Sequence, residues 1–558
     1  MTPLATPLDR IASDYDVVVV GSGYGGGVTA SRLARAGKRV LVLERGREYP
    51  TGSFPSRLTE LRAELMVTGG RFGAGSRPGL YDFRFGEHIH VLTGCGLGGG
   101  SLVNAGVALR PDARVFADPS AFPAEIAGDG LIEEGFARAA AWIRPARDPE
   151  AGTTTKLAAF AKAGEATIGR PDPAPVAVSF ADTVNPAGIG QPACTRCGDC
   201  CGGCNVGAKN TVALSYLPDA VAHGAVIATE ARVTRLERIG SRWHVHVEPF
   251  PADPKAAGSS SGPMAVAADI VVLAAGTLGS TEILLRSRAA GLPLSARLGE
   301  GFSANGDIIA FGYNGRERVN AVGIGHPPRD GLDPVGASVT GQIEVADPAD
   351  LDLGMCVQEG VLPSALGPLL PVFFVPGGRL LGAAHALIKG VYDGPLARTH
   401  TFFVVSHDRA RGRIVLKGDR AAVEWPDVND EPVFARVDAA LERLCRATGA
   451  AYVKSPLSET LMGRRPATAH PLGGARMATA AEAGVVDHKG RIFAGETGAV
   501  VHPGLYVSDG SVLPRSLGVN PLFTITALTE RAMIHLAEDY QLRFDTGPRP
   551  RRTEAAHG

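Results

Sequence analysis

Residues 16–46 constrain this chain more than any other stretch. Asp16-Val-Val-Val-Val-Gly21 is a short, continuous apolar run, the pattern of a parallel strand buried on both faces. Gly21-x-Gly23-x-x-Gly26 follows at once, then a helical stretch to about Ala36 and a second strand, Arg39-Val-Leu-Val-Leu-Glu44. Each glycine has a steric task. Gly21 permits the sharp turn, Gly23 lets backbone N–H groups approach a pyrophosphate, and Gly26 lets the helix pack on the strand. The helix N-terminus offers positive partial charge to phosphates. Glu44 ends the second strand, where a carboxylate accepts from ribose hydroxyls and repels a 2′-phosphate. A glycine triplet alone could be an empty tight turn; strand, turn, helix, strand and acid in this order read as a dinucleotide-binding unit.

The 558 residues leave room for two domains or one large α/β body with a partner. The chain has 56 basic and 57 acidic side chains, so no global field draws it to nucleic acid. The N-terminus lacks the charged and apolar regions of a secretion signal, and no window offers about 18 uninterrupted apolar residues. A cytoplasmic protein without a membrane span is the expectation. Further along, Ile132–Ile143 patterns as helix, and Ala225–Thr229 and Trp243–Val247 as strands. Pro251–Pro263 reads as a surface hairpin loop. Asp269–Gly276 reads as another buried strand with a helix to about Ser287, and a last helix is expected around Thr526–Tyr540.

Four further segments carry a family resemblance: Gly94–Gly106 (GCGLGGGSLVNAG), Gly276–Leu285 (GTLGSTEILL), His470–Gly474 (HPLGG) and Leu505–Thr526 (LYVSDGSVLPRSLGVNPLFTIT). Together they resemble the glucose–methanol–choline (GMC) oxidoreductases, and within them the bacterial cholesterol oxidase branch. The resemblance covers about residues 14–540. It implies an α/β fold with a discontinuous, Rossmann-like FAD-binding domain (10–47, 85–115, 205–310 and 485–545). A substrate domain with a large antiparallel sheet and helices would take 48–84, 116–204 and 311–484, and 546–558 would be a disordered tail.

The resemblance also implies site residues. Gly21, Gly23, Tyr24, Gly25, Gly26, Glu44, Gly100, Ser101, Asn104, Val107 and Val233 would contact FAD, the last near the adenine. Asp509 and Gly510 would close over the pyrophosphate and ribityl chain, with Asn520 and Phe523 beside the isoalloxazine. Some relatives tether FAD through a histidine two positions before the residue matching Cys95; here that position is Thr93, with His88 and His90 out of register. Noncovalent FAD follows. The implied reaction is alcohol oxidation, with the hydride going to flavin N5 while His470 takes the hydroxyl proton and Asn520 helps hold the oxygen. Outside the motif, His470 would read as a loop histidine and Asn520 as a turn residue before Pro521.

Glu359 resembles the glutamate that moves a steroid double bond in the cholesterol oxidase branch. A carboxylate in an apolar pocket would have a raised pKa; a surface-facing glutamate fits the local sequence too. Val361–Pro376 is apolar and broken by four prolines, so it cannot be one helix. It reads either as lining for a hydrophobic substrate entrance, with transient membrane contact, or as ordinary core.

Cys194-x2-Cys197-x2-Cys200-x3-Cys204 has the ligand spacing of bacterial ferredoxin clusters, with Asn205 where proline is usual. Three readings stand: an iron–sulfur cluster (4Fe–4S or 3Fe–4S), a closed zinc site, or disulfides, which would require export. Cys201 is a spectator or a substitute for Cys200. Cys95, Cys356 and Cys445 read as small buried apolar residues. Some sugar dehydrogenases of the wider family hold an iron–sulfur cluster at a similar place beside a Gly-Ala pair, here Gly207-Ala208. The expectation is therefore FAD-dependent oxidation of a bulky hydrophobic alcohol such as a 3-hydroxysteroid, with O2 or an electron carrier as acceptor. The alternatives are a sugar or polyol dehydrogenase, or a flavoprotein lyase or electron-transfer protein.

Overall fold

The apolar run forms the strand Asp14–Val20, whose Val17, Val18 and Val19 are fully buried. Parallel neighbours flank it, Val40–Leu43 on one side and Met264–Leu273 on the other. Burial on both faces accounts for apolar residues without alternation. The computed structural model describes residues 3–69, 77–252, 262–374, 380–454 and 465–548. Most of the loop expected at Pro251–Pro263, the end of Val361–Pro376 and the tail from 549 lie outside these residues.

The first sheet has eight strands. Val226–Ala228 adds in parallel beyond Val40–Leu43. On the other side, Met264–Leu273 shares one edge between two partners. Its first half pairs antiparallel with Trp243–Val247 of the strand Arg242–Pro249, itself paired with Ala231–Ile239. Its second half pairs in parallel with Leu505–Val507, at the end of Val501–Val507. The helices Tyr24–Arg35 and Leu522–Asp539 pack together and are joined by an ion pair between Arg32 and Glu530, both side chains wholly buried at 2.5 Å. The Tyr216 hydroxyl donates to the same carboxylate. Removing one partner of such a pair costs about 3–5 kcal/mol, because the other charge stays buried.

The second sheet has six strands in the order Ala451–Lys454, Ile308–Tyr313, His400–Ser406, Met355–Gly360, Val339–Val345, Asp172–Pro173, all antiparallel. The helices Thr155–Glu165 and Pro432–Thr448 pack on it. The expected boundary at 310 therefore falls inside a strand of this second sheet. Alternate residues Ile309, Phe311, Gln358, Phe403 and Val405 present the sheet to a cavity. The expected helix at 132–143 is Leu131–Ile143, and it packs against Leu522–Asp539 rather than on the second sheet. No helix among the described residues is long and apolar enough to cross a membrane.

Candidate active site

The two sheets enclose one cavity of about 1680 Å³, well above the ~300–1,000 Å³ common for a single ligand. Its floor is the first glycine turn. A Cβ on Gly21 would overlap Ala274 backbone, on Gly25 the Ser508 carbonyl and on Gly26 the Gly21 carbonyl, whereas one on Gly23 would meet nothing. Backbone at Gly23 is thus free for close approach, while Gly26 serves packing and does not line the cavity. The second glycine loop is stapled to the first through Ser22, whose hydroxyl accepts from Gly98 N at 2.9 Å and donates to Glu44 Oε2 at 2.5 Å. Glu44 also accepts from Gly46 N at 2.7 Å and keeps lone pairs for ribose hydroxyls on its cavity side.

Asn104 donates to the Tyr24 hydroxyl at 2.9 Å, and its Oδ1 is buried without a partner. A buried acceptor left open beside a dinucleotide turn fits a ligand with its own N–H donor. Val107, Val233, Gly100 and Gly510 also line the cavity. Asp509 lines it while tying two segments together, accepting from Gly276 N and Ser280 Oγ on one oxygen and from Ser511 on the other. Burial raises its pKa. Two expected contacts fall elsewhere. Ser101 turns inward, donating to Gly98 O and accepting from Val212 N. Phe523 packs edge-on against Phe136, with ring centroids 5.0 Å apart.

His470 and Asn520 both reach the cavity, each held by a residue the sequence did not flag. Asp307 Oδ1 lies 2.9 Å from His470 Nδ1, and Oδ2 accepts from the backbone N–H groups of Ala469 and His470 and from Thr468 Oγ1. An ionised carboxylate only accepts, so Nδ1 carries the proton and the Nε2 lone pair is free. Gln358 Nε2 donates to Asn520 Oδ1 at 2.6 Å, which leaves the Asn520 amide as donor. Asn305, at φ +56°, accepts from Leu517 N and donates to Val519 O, fixing the loop before Asn520. The Asn305-Gly306-Asp307 turn could have marked two of these residues; nothing local marks Gln358.

Glu359 is not in this site. It is 2% exposed and receives both a bidentate Lys156 ammonium at 2.7 Å and the N–H groups of Thr340 and Gly341. The strand pleat sends residue 358 toward the cavity and 359 away. The position facing the cavity is therefore a neutral amide. Among the described residues, the cavity's carboxylates are Glu44, Glu282, Asp307 and Asp509. The apolar stretch after Gly360 turns as Ser364–Leu369 and Leu370–Phe373, and Leu362, Ala365, Leu366 and Leu369 line the cavity. The stretch lines this cavity while Ala365 and Leu370 also pack in buried apolar clusters behind it.

None of the eight cysteines is joined in a disulfide. Cys194, Cys197, Cys200 and Cys204 face one another closely enough that every pair opposes ionisation of both thiols, adding to burial, which raises the Cys197 pKa to about 12. Cys194 Sγ accepts from Arg196 N at 3.3 Å and Cys200 Sγ from Ser338 N at 3.5 Å. A single zinc, with Zn–S near ~2.3 Å, needs sulfurs within about 4 Å. Among the described residues no three cysteine sulfurs lie within 4.8 Å of one another, a spacing wider than a single zinc would hold them at. Lys209 lies beside Cys200, donating to its backbone carbonyl at 2.9 Å, and Lys156 is paired with Glu359. Cys201 and Gly202 line the cavity. A separate Asp129, His488 and His535 trio has the spacing of metal ligands, but Arg531 already donates to Asp129 and to His488.

A cavity of this size over a dinucleotide turn, with a histidine and an amide on its wall, defines a dinucleotide-dependent oxidoreductase. Residues 177–303 and 398–529 match the GMC oxidoreductase family, and residues 19–89 match the NAD(P)-binding Rossmann-like domain. The chain belongs to the GMC oxidoreductases and is an FAD-dependent enzyme acting on CH–OH groups. It is similar to a cholesterol oxidase of Mycobacterium tuberculosis, 27% identical over 93% of this chain and 90% of that one. A cholesterol oxidase of Acinetobacter baumannii is 26% identical over 95% of both. A long-chain-alcohol oxidase of Arabidopsis thaliana is 26% identical over 91% of this chain and 65% of that one. In fold it resembles a pyridoxine 4-oxidase from Mesorbium loti, with TM-score 0.60, 18% identity, and coverage of 94% and 99%.

Proposed function

We propose that the chain oxidises a bulky hydrophobic alcohol such as a 3-hydroxysteroid. The observation that carries this is the cavity, too large for one ligand and walled beyond the dinucleotide site by Leu362, Leu366, Phe311 and Phe403. Relatives named as cholesterol and long-chain-alcohol oxidases support the same class. FAD, when bound noncovalently, supplies the hydride acceptor, and Gly23, Glu44, Asn104, Val233 and Asp509 are the residues that would hold it. His470 Nε2 takes the hydroxyl proton, and the imidazolium is stabilised by Asp307. Asn520, oriented by Gln358, donates to the alcohol oxygen and fixes the carbinol. The apolar wall keeps water from the reacting carbon.

The thiol site supports a route for electrons away from FAD through an iron–sulfur cluster on Cys194, Cys197, Cys200 and Cys204, next to the cavity through Cys201 and Gly202. That route favours an electron carrier over O2, and the same cysteines favour the second reading, a sugar or polyol dehydrogenase. Anaerobic flavin bleaching decides the substrate: hydroxysteroids and long-chain alcohols should bleach FAD at micromolar levels and sugars should not; the reverse overturns the steroid reading. Iron analysis and the visible spectrum decide the cluster. Iron-free protein that reoxidises rapidly in air with stoichiometric peroxide would leave an oxidase without that route.

A further inference from the structure

Lys209 lies 1% exposed between the two sites and belongs to none of the motifs above. Its ammonium donates to three backbone carbonyls, each at 2.9 Å: Leu102 and Asn104 of the loop that lines the dinucleotide cavity, and Cys200 of the thiol segment. All three of its N–H donors are thereby used. Its own backbone is pinned by a β-bridge to Val178. No carboxylate pairs with it among the described residues, in contrast to Lys156, which has Glu359. A buried cation without a counter-ion is costly, and an apolar side chain of the same length would fill the space without that cost. The two loops it touches line the two candidate sites, the dinucleotide cavity on one side and the cysteine cluster on the other.

We propose that Lys209 couples the two sites: it is a positioning residue through which occupancy of the thiol site strengthens FAD binding, and FAD binding strengthens the thiol site. The coupling is reciprocal by linkage. The proposal rests on the assignment of FAD to the cavity, and it concerns the thiols whatever they hold.

The test begins with the purified holoenzyme, its iron content and its FAD dissociation constant, measured by flavin fluorescence. Treating it with a mercurial thiol reagent should displace the cysteine ligands and weaken FAD at least tenfold. In Lys209→Met, FAD should bind at least tenfold more weakly, iron per chain should fall below half, and the mercurial should change FAD affinity less than twofold. The flavin midpoint potential should shift in this variant as it does in mercurial-treated wild type. FAD affinity in wild type that ignores the mercurial overturns the proposal, and so does a folded Lys209→Met protein in which the mercurial still weakens FAD tenfold. If Lys209→Met does not fold, Lys209→Gln takes its place and is read by the same measurements. Iron-free wild type refutes the cluster reading, while the mercurial arm continues to test the coupling.

Discussion

Single residues decide the chemistry, and two of them test it. In the proposed mechanism His470 is the proton acceptor and Asp307 aims it. His470→Ala should lower kcat by about 10²–10⁴-fold with FAD still bound. Asp307→Asn should lower kcat less and move the pH–rate profile, because an amide no longer stabilises the imidazolium; an unchanged profile would remove Asp307 from the mechanism. A second expectation follows from Glu359 facing Lys156. With Gln358 in its place, no described carboxylate stands free beside the substrate wall. A 3-hydroxy-5-ene steroid should therefore be released as the unconjugated ketone. Immediate growth of conjugated-enone absorbance would show that another base acts. The sequence could not have placed this glutamate, since a one-residue shift in a strand reverses the face and the residue types on either side of 358 and 359 do not fix the register. Nor could it pair Asp307 with His470, which lie in separate motifs and meet only through the fold.

Elements were legible in proportion to how local their causes are. The Asp14–Val20 and Met264–Leu273 strands announce themselves, because burial on both faces selects an unbroken apolar run. The Leu131–Ile143 helix does so by its period, but not its neighbour, since packing on Leu522–Asp539 is a long-range fact. The second sheet was expected only through resemblance; its strands are short and half-apolar, and their order follows no sequence rule. The Ser364–Leu369 turn was readable as non-helical from its prolines but ambiguous in purpose. Its position now makes a prediction. Leu366→Gln should raise KM for a hydroxysteroid about tenfold, through lost apolar contact, while leaving kcat within twofold. A change in kcat alone would place this turn away from the bound substrate.

At the scale of the molecule, stability depends on pH through buried imidazoles. Burial lowers the pKa values of His400 and His407 from 6.5 to about 4. Both are neutral when folded at pH 7, and the unfolded chain binds more protons between pH 6.5 and 4. Stability is therefore full above pH 6.5 and lost as pH falls toward 4, by up to about 3 kcal/mol for each histidine. Asp408 opposes this: burial raises its pKa to about 6, so the folded chain binds its proton first and its contribution weakens stability as pH rises from about 4 to 6. The histidines outweigh it. Urea midpoints should fall between pH 7 and 4.5, and His400→Phe, which keeps a ring stacked on Phe402, should flatten that fall. An equally steep fall in the variant would locate the acid sensitivity elsewhere.

The edge of Met264–Leu273 shared with Leu505–Val507 carries a consequence for how the protein is made. Ribosomal synthesis delivers the dinucleotide turn first and the strand that completes its sheet last, along with Asp509 and Asn520 just after it. Until then that edge is an open row of hydrogen-bonding groups, exposed to other chains. A nascent polypeptide stalled before residue 500 would hold the recognisable half of a cofactor site that cannot close. The sheet edge and the part of the cavity wall that holds Asp509 and Asn520 are thus completed together, once residues 505–520 have been made.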